Sequence, residues 1–176
     1  MSYHRAKTYS PDLVLQAVSE EYLLGKRIEI NVALVNHSPV ALVVNCRFQM
    51  IADFRYREIF ELLFDVLGPQ GEEKLPRKRI EDRLVPYPKK KDFVFLDPGD
   101  SRQRTIAISD YFDFDDAGIY HISAEYHNDH TEWRDYTEWN PHSLVRGEGL
   151  KIIHVDAWTG TVRSNSIQLR VKSAGG

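Results

Sequence analysis

Apolar residues recur at every second position along several short stretches of this chain. In the clearest stretch, alternate residues are large and aliphatic: Ile28, Ile30, Val32 and Leu34. Similar alternation occurs in DLVLQAV, FVFL, TIAI, GIYHISAEYH and TVRSNSIQLRV, with turn-forming residues between them, as at 36–39 and 97–100. A period of two is that of a half-buried β-strand. The pattern predicts an all-β fold of seven to eight short antiparallel strands, arranged as a sandwich or a barrel.

The stretch 54–67 allows a second interpretation. It reads FRYREIFELLFDVL, and four of its apolar residues fall at helical spacing: Tyr56, Phe60, Leu63 and Leu67. A short helix is therefore the alternative to a strand that ends in the turn GPQG at 68–71.

Length and composition are those of a single-domain globular protein. The chain has 176 residues, of which 42% are hydrophobic, and a formal net charge of −3. We expect one domain over 12–172, an N-terminal arm over 1–11 and a C-terminal tail over 173–176. Cys46 is the only cysteine, so no internal disulfide can form. No apolar leader or membrane-spanning run stands out, and we expect a cytoplasmic protein.

Two short motifs sharpen the expected fold. Asp116, Gly118 and Tyr120 form a D-x-G-x-Y sequence just before the strand HISAEY. It resembles the tyrosine corner of immunoglobulin-like domains, in which the tyrosine hydroxyl bonds an upstream backbone group. The stretch WTGTVRSN at 158–165 resembles the W-x-G-x-V-x-S-N ending of many bacterial immunoglobulin-like domains. The resemblance implies a single antiparallel immunoglobulin-like β-sandwich with a long loop between its last two strands.

The layout of 13–171 is also similar to that of bacterial intracellular proteinase inhibitors. It resembles in addition the small β-sandwich associated with deuterolysin-type metalloproteases. These likenesses imply protein binding, with inhibition of a protease as one form of it. An immunity-type protein that blocks a basic active site is an equal expectation, because acidic loops suit such a target.

The insertion, residues 127–160, is the first candidate for a binding surface. It is far longer than a hairpin needs and contains all three tryptophans, and such loops are more often functional than linkers. Trp, Tyr and Arg anchor many protein interfaces, and acidic neighbours would match a basic rim on the partner. The predicted partner-binding residues are Glu132, Trp133, Arg134, Asp135, Tyr136, Glu138 and Trp139. The alternative is that Trp133 and Trp139 cap the end of the core.

The basic arm, residues 74–91, is the second candidate. It carries eight basic residues against two acidic ones. Its principal cations are Arg77, Lys78, Arg79, Lys89, Lys90 and Lys91. They favour an acidic partner surface, or else a solvated loop that discourages edge-to-edge strand pairing. We do not expect nucleic acid, because Tyr87 is the only aromatic residue among these cations and the whole chain is acidic.

Metal binding and catalysis receive less support from the sequence. His127, Asp129 and His130 are the metal ligands that the insertion offers, but their spacing matches no closed zinc site. A string of aspartates at 110–116 lacks the glycine and glutamate of an EF-hand. Cys46 lies in an apolar strand, where a cysteine is usually a small buried hydrophobe. We therefore expect no cofactor and no enzymatic activity.

Together these features favour a non-enzymatic protein-binding module, monomeric or homodimeric, whose partner the sequence does not identify. Two alternatives stay open. One is a metal- or ligand-binding domain that uses the His- and Asp-rich loop. The other is an assembly subunit that uses the basic arm.

Overall fold

The computed structural model describes residues 9–50, 61–77, 88–135 and 151–173. Within these ranges the chain forms twelve β-strands, two 3-10 helices of three residues each, and no longer helix. The strands are β1 (Asp12–Ala17), β2 (Glu21–Leu23), β3 (Glu29–Val35), β4 (Leu42–Asn45), β5 (Leu62–Leu67), β6 (Phe93–Leu96), β7 (Ser101–Ala107), β8 (Gly118–Asn128), β9 (Glu132–Asp135), β10 (Lys151–His154), β11 (Gly160–Arg163) and β12 (Ile167–Lys172). The all-β prediction is confirmed, with more strands than the expected seven to eight.

Two larger sheets supply the core. The first has the order β1-β3-β7, with antiparallel pairing throughout. In the second, β8 is central: β5 pairs with one edge, while β11 and β12 follow one another along the other edge. The short β2 runs parallel to β12. Buried side chains from both sheets form one hydrophobic cluster, so the two sheets face each other across a common core.

Two smaller strand pairs complete the fold. The pair β4–β6 contributes Val44 and Leu96 to the core. The pair β9–β10 lies inside the insertion, which is therefore not a plain loop as the sequence suggested. The extra strands have three origins: the short β2, this hairpin, and the division of the predicted last strand into β11 and β12 at 164–166. No helix in the described ranges is long and apolar enough to cross a membrane.

The helical interpretation of 54–67 is wrong for its second half. Leu62, Phe64 and Val66 alternate along β5 and are buried, while Leu63 and Leu67 face outward. β5 is held by antiparallel pairing with β8 over its whole length. The helical spacing of the outward-facing leucines arose because both faces of this strand carry apolar residues. The first half of the stretch, 51–60, lies outside the described residues.

The D-x-G-x-Y sequence forms a tight entry to β8. The fully buried Tyr120 donates its hydroxyl proton to the carbonyl oxygen of Asp116 at 3.0 Å, and the Asp116 N–H lies 3.2 Å from the same hydroxyl. Gly118 has φ of 153°, and a Cβ there would lie 2.4 Å from the Pro69 Cβ. Only glycine fits this close approach, because any side chain would collide with the proline ring.

The WTGTVRSN sequence joins the two larger sheets. Ser164 exchanges two hydrogen bonds with the Ala124 backbone: its N–H donates to the carbonyl oxygen at 2.9 Å, and its Oγ accepts from the amide at 2.8 Å. The Asn165 side chain then crosses to β1. Its Oδ1 accepts from the Leu15 amide at 2.8 Å, and its Nδ2 donates to the Leu15 carbonyl at 3.0 Å. The side chain thus substitutes for a neighbouring strand at the edge of β1.

Replacing Asn165 with alanine is expected to lower the free energy of unfolding by about 1–3 kcal/mol. Both Leu15 backbone groups would lose their partner, and a partly buried backbone group without one is costly. Chemical denaturation of Asn165→Ala should show this loss. The matched control is Gln168→Ala, which removes an exposed amide from β12 and should change stability by less than about 0.5 kcal/mol. Equal losses in the two variants would contradict a bridging role for Asn165.

Candidate functional site

The strand register brings the root of the insertion and the first turn to one end of the molecule. β8 ends at Asn128, opposite Gly160 at the start of β11. Leu13 lies parallel to Ser164, just beyond β11, so β1 begins at this same end. The first residue of β1 pairs with the last residue of β3, which leads directly into the turn 36–41.

One buried asparagine connects this turn to the turn at 97–100. The Asn36 side chain donates to the carbonyl oxygens of Val40 and Leu96, both at 2.8 Å. Its backbone N–H donates to the Asp100 carbonyl at 2.9 Å, and its carbonyl accepts from the Gly99 amide at 2.7 Å. The two turns and the insertion root form what we name the loop end: 36–41, 97–100, 128–135 and 151–160.

A second buried asparagine closes the root of the insertion. The Asn128 Nδ2 donates to the His130 carbonyl at 3.2 Å and to the Trp158 carbonyl at 2.6 Å. Its Oδ1 accepts from the His130 amide at 3.2 Å and from the Asn45 Nδ2 at 3.3 Å. The two ends of the insertion, at His130 and Trp158, are therefore held together by a single side chain, which is 1% exposed.

Asn128 is in turn held by a buried carboxylate. Glu61 is 1% exposed. Its Oε1 accepts from the Asn45 Nδ2 at 2.7 Å and lies 2.9 and 2.7 Å from the Arg47 Nε and Nη2. Its Oε2 accepts from the Gln49 amide at 2.9 Å. A buried carboxylate needs such donors, because an uncompensated charge in the interior is very costly.

The backbone between these donors has an unusual conformation. Phe48 is buried and has φ of 49°, in the left-handed region that side chains other than glycine seldom adopt. Such a residue costs on the order of 1–3 kcal/mol and persists only where its surroundings hold it. Here the Glu61 carboxylate holds Arg47 and Gln49 on either side of it.

Aromatic rings cover the inner side of this polar cluster. Tyr126 donates its hydroxyl proton to the Asn45 carbonyl, and burial raises the pKa of Tyr126 well above its ordinary value. Trp158 stacks on Tyr126 with a centroid distance of 6.2 Å, and the backbone N–H of Trp158 donates to the Val43 carbonyl at 2.7 Å. Trp158 therefore caps the core, in the role that the sequence left open for Trp133 and Trp139.

The histidines of the insertion root point in different directions. The His127 Nδ1 lies 2.9 Å from the Thr161 Oγ1, on the outer face of the second sheet. His130 is partly buried, with Asp129 at 3.6 Å. Burial lowers the pKa of His130, while Asp129 opposes that shift. The described residues contain no group of three or more His, Cys, Asp or Glu side chains placed to hold a metal ion.

Four of the predicted partner-binding residues lie on β9: Glu132, Trp133, Arg134 and Asp135. Trp133 is half-buried and lies opposite Ile153 of β10. Tyr136, Glu138 and Trp139 lie outside the described residues. Three apolar side chains that the sequence did not assign to a binding surface are exposed near β9 and the turn 36–41: Phe95 by 77%, Ile152 by 45% and Val40 by 45%. Phe95 was expected in the core from the alternation in FVFL, and this expectation is wrong.

The two ends of the basic arm have different surroundings. Arg77 pairs with Asp113, and Lys74 lies 3.0 Å from Glu72 and 3.6 Å from Asp116. The end of the arm at 74–77 is thus paired with aspartates of the stretch 110–116. The other end, 89–91, is exposed and forms the start of a 3-10 helix (Lys90–Asp92), whose Cα atoms lie within 8 Å of β9. Lys78 and Arg79 lie outside the described residues.

Cys46 is poorly suited to act as a nucleophile. It is half-buried next to the polar cluster, and burial raises the pKa of Cys46 to about 12. A thiol with such a pKa carries almost no thiolate at neutral pH, and the thiolate is the reactive form.

The sequence analysis missed the asparagines that organise this end, although a signal was present. Asn36 continues the buried alternation of Ile30, Val32 and Leu34, and Asn128 continues that of β8 after Tyr126. A polar residue at a core-facing position must be hydrogen-bonded in the interior, which marks it as structurally important. Glu61 carried no comparable signal.

Replacing Glu61 with glutamine is expected to destabilise the fold by about 3–5 kcal/mol, because the buried Arg47 would lose its counter-charge. Urea unfolding of Glu61→Gln measures this change. The matched control is Glu125→Gln, which removes an exposed carboxylate 3.0 Å from Arg163 and should cost no more than about 1 kcal/mol. Similar losses in both variants would show that the buried pair has no special role.

The lowered pKa of His130 predicts a stability that depends on pH. The folded state binds the His130 proton more weakly than the unfolded state, whose pKa is near the ordinary 6.5. The stability contributed at this site is therefore complete above that pH and is lost as the pH falls below it. In urea titrations between pH 7.5 and 5, His130→Gln should lose less stability than the native chain. His121→Gln, on the exposed face of β8, should retain the native slope; an unchanged slope in His130→Gln would contradict the prediction.

Comparison with known proteins adds no assignment to this geometry. No protein-family model matches the sequence, and no curated protein matches it. The function of the loop end therefore has to be inferred from its own residues.

Proposed function

We propose that this chain is a non-enzymatic, immunoglobulin-like protein-binding module whose recognition surface is the loop end. The immunoglobulin-like assignment is supported by two facing sheets and by the hydrogen bonds between Tyr120 and Asp116. In domains of that type, loops gathered at one end of the sandwich commonly form the recognition surface.

The observation that carries the proposal is the closure of the insertion root by Asn128. Its side chain joins the backbone at His130 to that at Trp158. A loop with a fixed root loses less conformational entropy when it binds, because its ends are already positioned. The buried Glu61 behind Asn45 extends this support, since it fixes the residue against which Asn128 packs.

Exposed apolar side chains supply a reason for binding. Phe95, Ile152 and Val40 are exposed to solvent although burial of each would be favourable. Phe95 lies opposite Val43 on the pair β4–β6. The Val43 carbonyl accepts a hydrogen bond from the backbone amide of Trp158, which belongs to the insertion. Apolar residues beside a preorganised loop are typical of the centre of a protein interface.

The insertion itself provides the remaining proposed contacts. Trp133, Tyr136 and Trp139 are the proposed aromatic anchors, and Glu132, Asp135 and Glu138 the proposed acidic rim. An inhibitor of a protease or an immunity-type protein would use such a surface to block an active site. In both cases the chain performs no chemistry of its own, which agrees with the poor reactivity of Cys46.

The test compares exposed apolar residues at the two ends of β8. Phe95→Ser and Ile152→Ser change the loop end, whereas Ile119→Ser changes a residue that is 41% exposed near the start of β8. Ile119 lies about 30 Å from Asn128 along this strand, at ~3.3 Å per residue. Tagged versions of all three and of the native chain are used for capture from native lysate, after each has shown cooperative thermal unfolding.

We expect a partner that binds the native chain and Ile119→Ser at the same level, with at least about a tenfold loss in both loop-end variants. Asn128→Ala, if it still unfolds cooperatively, should also lose the partner, because the insertion root is released. A partner that is retained by both loop-end variants, or lost in Ile119→Ser alone, would place recognition elsewhere and refute the proposal.

A further inference from the structure

The edge strand β7 carries two arginines at core-facing positions. Arg102 and Arg104 lie opposite the fully buried Leu34 and Val32 in the register of β3 and β7. Residues that are opposite in an antiparallel pair share a face, so both arginines project from the inner face of the first sheet. They are nevertheless exposed, whereas Ile106, the next residue on that face, is buried.

These arginines lie next to the lysines at the end of the basic arm. The Arg104 Nη1 donates to the Arg47 carbonyl at 2.8 Å. The positive charge of Arg102 acts on the adjacent Cys46, where it opposes the rise in the thiol pKa. The Cys46 amide donates to the Asp92 carbonyl at 2.6 Å, and Asp92 directly follows the three lysines.

Five exposed cations therefore share one side of the molecule, which we name the cationic surface: Lys89, Lys90, Lys91, Arg102 and Arg104. Within the described part of the chain none of the five forms an ion pair. Two acidic groups of neighbouring segments are already engaged: Glu61 is buried against Arg47, and the Asp92 carboxylate accepts from the Lys89 amide at 2.7 Å. Inward-pointing charges also keep an edge strand from pairing with another edge, but that role does not account for the lysines beside them.

We propose that the cationic surface is a docking site for an acidic segment of a partner protein. Charge complementarity selects this occupant, because five cations that form no ion pair with the described residues favour carboxylates at short range. The chain as a whole carries −3, so its attraction for anions is local and decays within about 8 Å at physiological salt. A short acidic segment fits within that reach, whereas a long nucleic acid would meet the net repulsion of the rest of the chain.

This inference does not rest on the proposed function, since the loop end and the cationic surface are changed by different substitutions. The probe is a fluorescently labelled peptide of about ten residues, made of glutamate and serine with one central leucine, which spans at most ~35 Å. A second peptide with glutamine in place of glutamate is the neutral control. Binding is followed by fluorescence anisotropy on the full chain at low and physiological salt.

We expect the acidic peptide to bind, the neutral one not to bind, and added salt to weaken the complex. The variant Arg102→Gln/Arg104→Gln should weaken binding by about tenfold, equivalent to ~1.4 kcal/mol. The triple variant Lys89→Gln/Lys90→Gln/Lys91→Gln should do the same. The matched control Arg163→Gln/Arg170→Gln removes the same charge as the arginine pair from the outer face of the second sheet and should bind as the native chain does.

Four results would overturn the assignment. Equal weakening in Arg163→Gln/Arg170→Gln would show that net charge alone matters. Tighter binding of a single-stranded oligonucleotide of equal charge would assign the surface to nucleic acid instead. A concentration-dependent dimer in sedimentation, lost in Arg102→Gln/Arg104→Gln, would assign it to a second copy of this chain. Loss of peptide binding in Phe95→Ser but not in the arginine variant would place the acidic segment on the loop end.

Discussion

The carboxylate of Glu61 organises the loop end from within. Because it is buried, it must collect donors, and it takes them from Asn45, Arg47 and Gln49. These donors fix the irregular backbone around Phe48 and orient the Asn45 amide toward Asn128. Asn128 then closes the insertion. One buried carboxylate thus determines how β4, β5, β8 and the insertion root meet, and an apolar residue at this position would remove the acceptor that these three donors share.

The same end illustrates how polar interior groups provide specificity. Apolar packing of two sheets tolerates many small rearrangements, but hydrogen bonds have narrow geometry and admit few alternatives. Asn36 joins two turns and Asn165 joins two sheets by this means. Together with Asn128, these side chains set the relative positions of the loops and sheets, while the aliphatic core supplies most of the stability. A surface built from loops needs such fixed points if it is to bind with little loss of entropy.

Charged segments that are separate in the sequence become neighbours in the fold. The basic arm is a single segment of the chain, but its first end is neutralised by Asp113 and Asp116, and its other end lies beside two arginines of β7. The acidic insertion and the basic arm are separate in the sequence. In the fold, β9 of the insertion lies next to the 3-10 helix that begins at Lys90 of the basic arm. Charged residues from three segments, the end of the basic arm, β7 and β9, thus lie close together in space. Coulomb interactions depend on distance in space, which the order of residues does not report.

The sequence by itself determined the all-β fold, because alternation with a period of two is a local property that each strand carries in its own side chains. It also pointed to Tyr120, whose motif describes tight local geometry, and to the residues 158–165. Tertiary structure alone decided that 62–67 is a strand, since pairing with β8 outweighs an ambiguous pattern. It likewise decided the partners of Glu61, Asn128 and Arg104, most of which lie far from them in the chain. Hydrogen bonds and ion pairs between distant segments form only after the sheets have packed, so no local pattern can encode them.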